Sequence, residues 1–256
     1  MRGQSTRNGV ISAFGGPVRV WPERTDAAQP SSGAAEDMDE VRRALAGLGS
    51  GEAGLLRLYR PLPTAAFAPS DRASANYGAA VEAVQAFGFE PVERMAGGRL
   101  AVYDKSALIL DLVAPHKEPR LHVLERYAVF ADAIAEALTR LGVDARVGEL
   151  SGEYCPGQYS VNGSGRIKLV GVAQRIGRYG YHLGAVISVY QSASARAAVE
   201  KAYGQMDLAF EPQTFGAIAD LVPAVSFDAV RNALLGSLAT RIDMDCSSGL
   251  DRDSVD

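Results

Sequence analysis

Among the 256 residues only two are cysteine, Cys155 and Cys246, so no disulfide framework is possible and a reducing compartment is the simpler setting. Lysine is nearly as scarce. Of the 26 basic residues four are lysines (Lys105, Lys117, Lys168 and Lys201) and the rest are arginines. The three histidines, His116, His122 and His182, are scattered, which excludes the clustered spacings of zinc sites, so no metal is expected. No apolar run approaches the ~20 residues that span a bilayer, and no apolar segment follows Arg2 and Arg7 as in a secretion signal. With a net charge of −4 there is no global basic field for nucleic acid or an anionic membrane. Neither partner is expected, and the setting these absences suggest is cytoplasmic. Phosphate loops of the G-x-x-x-x-G-K-[ST] type, dinucleotide G-x-G-x-x-G turns and C-x-x-C pairs are all missing.

What is present is an ordinary globular composition, 47% hydrophobic and 22% charged. Residues 1–36 contain the polar, breaker-rich run Asp26 to Gly33 and read as a mobile leader, residues 37–241 as a single catalytic-sized domain, and residues 242–256 as a polar tail holding Cys246. Within the body the patterning predicts helices over 37–48, 70–87, 121–141, 193–206, 214–221 and 226–240. It predicts strands over 54–60, 89–93, 99–103, 106–113, 143–147, 158–162, 166–174 and 181–190. Several consecutive strands are separated by turns alone, among them Gly97-Gly98, Asp104-Lys105 and Asn162-Gly163. The fold class expected is therefore α+β, with mixed, mainly antiparallel sheets backed by helices, since doubly wound folds need a helix between strands.

Three segments carry candidate chemistry. In Glu93-Arg94-Met95-Ala96-Gly97-Gly98-Arg99 a glycine pair between strands lets backbone amides approach a ligand. In Gly152-Glu153-Tyr154-Cys155-Pro156-Gly157 a lone thiol sits in a Pro/Gly loop, where a sulfur is exposed rather than packed. In Lys168-Leu169-Val170-Gly171-Val172-Ala173-Gln174 a lysine interrupts a β run.

Their order and spacing resemble the lipoate–protein ligase and octanoyltransferase family, whose biotin/lipoate protein ligase-type catalytic domain has an R-x-x-G-G hairpin and a later K-x-x-G-x-A-Q strand. The resemblance covers about residues 40–235. It implies an acyl pocket bordered by Arg94, Gly97, Gly98, Gly171, Ala173 and Gln174, with Lys168 at the acyl carbonyl. Glu-Tyr-Cys-Pro-Gly ahead of the lysine strand is similar to the cysteine-dependent acyltransferases of the family, in which the cysteine becomes acylated. On that branch Cys155 and Lys168 are catalytic, and an octanoyl or lipoyl group passes through a Cys155 thioester to a lysine of a lipoyl-domain acceptor. The donor is an octanoyl-carrying acyl carrier protein or another lipoyl-domain protein. No cofactor is required, because a thioester donor already carries its activation. Ala96 and Arg99 stand where ligases have Ser and a third Gly. ATP and Mg²⁺ enter only under the alternative of an ATP-dependent lipoate–protein ligase, and a non-catalytic binder of acyl groups or carrier domains is a third reading.

Overall fold

The computed structural model describes residues 14–15, 18–20, 33–242 and 244–245. Its largest element is a sheet of eight strands: β1 (Val18–Val20), β2 (Gly54–Tyr59), β6 (Ala107–Pro115), β7 (Ala145–Val147), β8 (Val161–Gly163), β9 (Ile167–Ile176), β10 (Gly180–Ser188) and β11 (Met244–Asp245). Across the sheet the order is β11-β1-β2-β6-β10-β9-β8-β7, antiparallel throughout except for the parallel pairs β11-β1 and β1-β2. A second sheet has three strands, β3 (Thr64–Phe67), β4 (Glu90–Glu93) and β5 (Ala101–Tyr103), in the order β4-β3-β5. The helices are α1 (Ala34–Gly47), α2 (Tyr77–Ala86), α3 (Val123–Arg140), α4 (Ala193–Gln205) and α5 (Phe227–Ala239). The α+β class expected from the hairpin spacing is the one observed.

Alternation sorts the strands between two cores. Leu108, Leu110 and Leu112 of β6 and Leu183, Ala185 and Ile187 of β10 face α3 and α5, where they meet Phe130, Ile134, Leu138, Val230 and Leu234. These α3 residues recur every three or four positions, the stripe of an amphipathic helix. Gly142, at φ +92°, ends α3 by letting its own N–H and that of Val143 return to the carbonyls of Thr139 and Leu138. The opposite core joins the small sheet, α2 and α4, through Phe67, Val84, Leu100, Val199 and Tyr203.

Several expectations change in detail. Part of the expected leader is folded: Val18 and Val20 are buried, with β1 paired to β2. Met244 and Asp245 of the expected tail pair with β1 as β11, while Cys246 lies outside the described residues. The strands on either side of Gly97-Gly98 do not pair with each other, because Thr64–Phe67 lies between them. Asn162-Gly163 is strand rather than turn. The chain reverses instead at Ser164 and Gly165, both at positive φ, and Asn162 Oδ1 accepts from the Gly165 N–H at 2.9 Å. The helix expected over 70–87 is a short 3₁₀ turn followed by α2, and that over 214–221 is two 3₁₀ turns.

Candidate active site

The face of the large sheet turned away from α3 and α5 forms the floor of a cavity of about 340 Å³. One row of that floor crosses the strands as Tyr59, Ile109, Val186 and Gly171, and the next as Arg57, Asp111, Gly184 and Ala173. In a regular strand Lys168 and Gly171, three apart, would point to opposite faces. Here Val170 pairs with Val161 while Lys168 pairs with Asn162, so Leu169 is an extra residue in β9, a bulge that flips the alternation. Lys168 and Gly171 thereby share the cavity face. A Cβ on Gly171 would stand 3.5 Å from Lys168 Cε.

Cys155 enters from the loop between β7 and β8. Its φ of +44° is uncommon for a residue with a side chain, and its surroundings fix it there. The Cys155 N–H donates to the Tyr203 hydroxyl at 2.6 Å, and that hydroxyl donates onward to the Leu100 carbonyl at 3.1 Å. From below, Lys168 Nζ donates to the Tyr154 carbonyl at 2.9 Å, the Cys155 carbonyl at 2.8 Å and Glu153 Oε1 at 2.9 Å. Glu153 also accepts from Ser160 Oγ at 2.6 Å and from the Leu150 and Gly157 N–H groups at 3.2 Å each. Both members of this ion pair are sealed, Lys168 1% exposed and Glu153 1%. An ammonium has three protons, and all three of Lys168's are engaged by the loop. In this structure Lys168 thus braces the cysteine loop, where the family resemblance put it at the acyl carbonyl.

The cation on the sulfur is Arg94. Its guanidinium donates to Cys155 Sγ at 3.2 Å and to the Arg99 carbonyl at 2.7 Å, and the Arg99 N–H donates to Sγ at 3.3 Å. Gly98 makes this approach possible. It lies at φ +102°, and a Cβ there would fall 2.5 Å from the Arg94 guanidinium and 2.9 Å from Sγ. Burial alone would push the Cys155 thiol up. The Arg94 and Lys168 charges and the two hydrogen bonds outweigh it and hold the thiol below its ordinary value. The Arg94 guanidinium, which burial would weaken, is conversely raised by the sulfur beside it.

Of the residues expected at the acyl pocket, Arg94, Gly97, Gly98, Gly171 and Ala173 line the cavity together with Cys155 and Lys168. Gln174 also borders it, but its side-chain oxygen accepts from Arg126 of α3 at 3.2 and 3.3 Å, which occupies it beneath the sheet. Sequence reading missed Glu153 and Tyr203 and did not single out Tyr103, Tyr127, Asp111 or His182, which also line the cavity. Glu153 alone left a signal, as an acidic residue two positions before the thiol.

The family model of the lipoyl protein ligase A/B catalytic domain matches residues 51–239, and the chain belongs to that family. It is 30% identical over 145 residues to an octanoyl-[GcvH]:protein N-octanoyltransferase of Exiguobacterium sp., covering 53% of this chain and 51% of that protein. A protein of the same description from Geobacillus kaustophilus is 30% identical over 138 residues, covering 54% and 48%. The chain thus spans about half the length of these curated relatives. In fold it is similar to a lipoate protein ligase from the archaeal lipoylation system of Thermoplasma acidophilum, with TM-score 0.64, 18% identity and coverage of 90% and 85%. It is similar also to a lipoate-protein ligase A bound with ATP, with TM-score 0.63, 18% identity and coverage of 90% and 87%.

Proposed function

We propose that this member of the family is an acyltransferase that moves a medium-chain acyl group, octanoyl or lipoyl, from an acylated carrier protein to a protein amine by way of a thioester on Cys155. The observation that carries the reading is the thiol itself: Cys155 is half-buried and lines the cavity, with its sulfur facing the Arg94 guanidinium and the Arg99 N–H. Thiolate is the nucleophilic form of cysteine, and both neighbours favour it. The curated relatives named octanoyl-[GcvH]:protein N-octanoyltransferase support octanoyl as the group, a GcvH-type lipoyl-domain protein as donor and a protein nitrogen as acceptor.

The chemistry closes without another reagent. The Cys155 thiolate attacks the donor's acyl carbonyl, the tetrahedral intermediate collapses, and the carrier leaves as a thiolate or, after gaining a proton, as an amine. An acceptor lysine that has lost its proton then attacks the thioester, the amide forms and the Cys155 thiolate is released. The Arg94 and Arg99 donors that held the thiolate stand beside the carbonyl when its oxygen gains charge, work of the oxyanion-hole type. Within the cavity, apolar floor residues such as Ile109 and Val186 cover the chain's methylenes, each burial worth ~0.8 kcal/mol. Lys168 acts as a positioning residue that keeps the loop in place.

The test compares two mixtures on one apo lipoyl domain. One holds an octanoylated carrier and no nucleotide, the other free octanoate with ATP and Mg²⁺. The expected result is modification in the first, an octanoyl adduct on Cys155 and loss of both in Cys155→Ala. Modification in the second mixture alone, with Cys155 unmodified, overturns the reading in favour of a ligase, and modification in neither favours a binder.

A further inference from the structure

One helix borders the cavity without a part in the proposed transfer. α1 lies ahead of residues 51–239, the stretch that the family model matches. Asp37 and Glu40, three apart, share one side of it, and Met38 and Val41 share the adjoining side. Arg57 of β2, 0% exposed, holds the helix to the floor. Its Nη2 donates to the Asp37 carbonyl at 2.8 Å and its Nη1 to the Glu40 carboxylate, while Nε donates to Asp111 Oδ2 at 2.9 Å. Arg42 of α1 in turn donates to the carbonyl of Glu93, the residue before Arg94, at 2.7 Å. Val41 packs with Val113 of β6, Leu55 of β2 and Met95. A sealed guanidinium is costly unless its donors are met, and here meeting them fastens α1 in place.

Met38, half-buried, and Val41 line the cavity, as Cys155 and Lys168 do. The register of the floor places the two pairs at opposite ends. Lys168 stands beside Gly171, which pairs with Val186, and Val186 pairs with Ile109. Asp111, joined to α1 through Arg57, is two residues further along β6. Two residues of strand are ~7 Å and two strand spacings ~10 Å, so the diagonal from the lysine end to the helix end is roughly 12 Å. That is the span of a medium-length acyl chain whose carbonyl sits at the sulfur. The floor beneath such a chain is Ile109 and Val186, both apolar, and what it would meet at the far end is the side chain of Met38.

We propose that α1 is the end wall of the acyl slot and that Met38 sets the length of chain the slot accepts, stopping a saturated chain at octanoyl. The inference rests on the reading of the cavity as an acyl slot. Each methylene that stays inside the slot adds apolar burial, whereas one that reaches Met38 has to displace it or fold back. Methionine is unbranched, so trimming it opens space at this end while the floor and the thiol stay as they are.

The test is a calorimetric titration of the full chain with hexanoate, octanoate and decanoate. Affinity is expected to rise about fourfold per methylene from hexanoate to octanoate and to drop at decanoate. Met38→Ala should make decanoate the best of the three, about tenfold tighter than octanoate, and Met38→Trp should move the preference to hexanoate. Leu45→Ala alters the same helix at a residue that packs beside Val41 and does not line the cavity, so it should leave the order unchanged. Affinity that keeps climbing through decanoate in the unmodified chain overturns the proposal. So does an unchanged order in Met38→Ala, an equal shift in Leu45→Ala, or no binding of any of the acids. Should Met38→Trp fail to fold, judged by its thermal melt, the unmodified chain and Met38→Ala decide, alanine being the best helix former. The titration needs no acyl transfer, so a Cys155 that never becomes acylated counts against the proposed function and leaves this result standing.

Discussion

The two faces of the large sheet obey different rules. Against α3 and α5 the strands present Leu108, Leu110, Leu112, Leu183 and Ile187, an apolar surface matched by an apolar helix stripe. On the cavity face the same strands present Asp111, His182, Gly184 and Gly171, with Lys168 and Arg57 sealed among them. Glycine and buried charge both weaken a strand taken by itself. Their confinement to one face means that the fold is secured from below and the departures from good strand sequence are spent above, where a thiol and a ligand must be held. Substitutions on the two faces should accordingly fail in different ways.

The largest effect is expected from Cys155→Ala. Octanoyl adduct and transfer should both vanish in intact-mass assays, with the melting temperature as the control that separates loss of the nucleophile from loss of the fold. A fold that collapses with this substitution would blur the division between the faces.

Lys168→Met should be the most destabilising change on the upper face. It leaves Glu153 buried without its cation and frees the Tyr154 and Cys155 carbonyls, a loss of about 3–5 kcal/mol in urea unfolding. Adding Glu153→Gln should recover part of that loss, since the stranded charge is removed. A stability like that of an exposed lysine variant such as Lys201→Met would show that the brace is absent.

On the lower face, Ile134→Ala should cost about 2–5 kcal/mol by leaving a cavity under the sheet. It should leave the titration of the Cys155 thiol where it was, and a shifted thiol would mean that the faces are coupled.

Arg94→Gln should have the smallest effect on stability and a specific effect on ionisation. A lowered thiol is one whose charged form the folded site favours, so alkylation of Cys155 should rise with pH through a midpoint below that of a free thiol. Removing the guanidinium takes away the largest of the influences that oppose burial while the Lys168 charge and the Arg99 N–H remain, so the midpoint should move up. Iodoacetamide rates on a Cys246→Ser background read this directly, and an unmoved midpoint would assign the ionisation to another group.

The lower face was the more legible of the two. The α3 helix, its glycine stop and the β9 and β10 strands follow from periodicity, because burial there enforces apolar spacing. Strand β3 was missed because Thr64-Ala65-Ala66-Phe67 follows two prolines and holds no Val or Ile, yet Ala65 and Phe67 are fully buried. On the upper face the motifs marked residues that line one cavity, but not the contacts those residues make. Arg94 meets Sγ across 61 positions of chain and His182 meets Asp111 across 71, and such meetings are set by strand order and register rather than by local pattern. The bulge at Leu169, which puts Lys168 and Gly171 on one face, is likewise a property of the pairing with β8. The resemblance put Lys168 at the acyl carbonyl, while the two carbonyls and the carboxylate that its ammonium meets belong to a loop that local pattern does not place beside β9.

The account stands or falls on Cys155 carrying the acyl group between donor and acceptor. A pulse of octanoylated carrier followed by a chase with apo lipoyl domain, sampled by peptide mass mapping, follows that group directly. The account predicts an octanoyl thioester on Cys155 that forms in the pulse and decays in the chase at the rate the acceptor lysine gains its amide. Acceptor labelled at full rate while Cys155 stays unmodified, or labelled by Cys155→Ala, would contradict it.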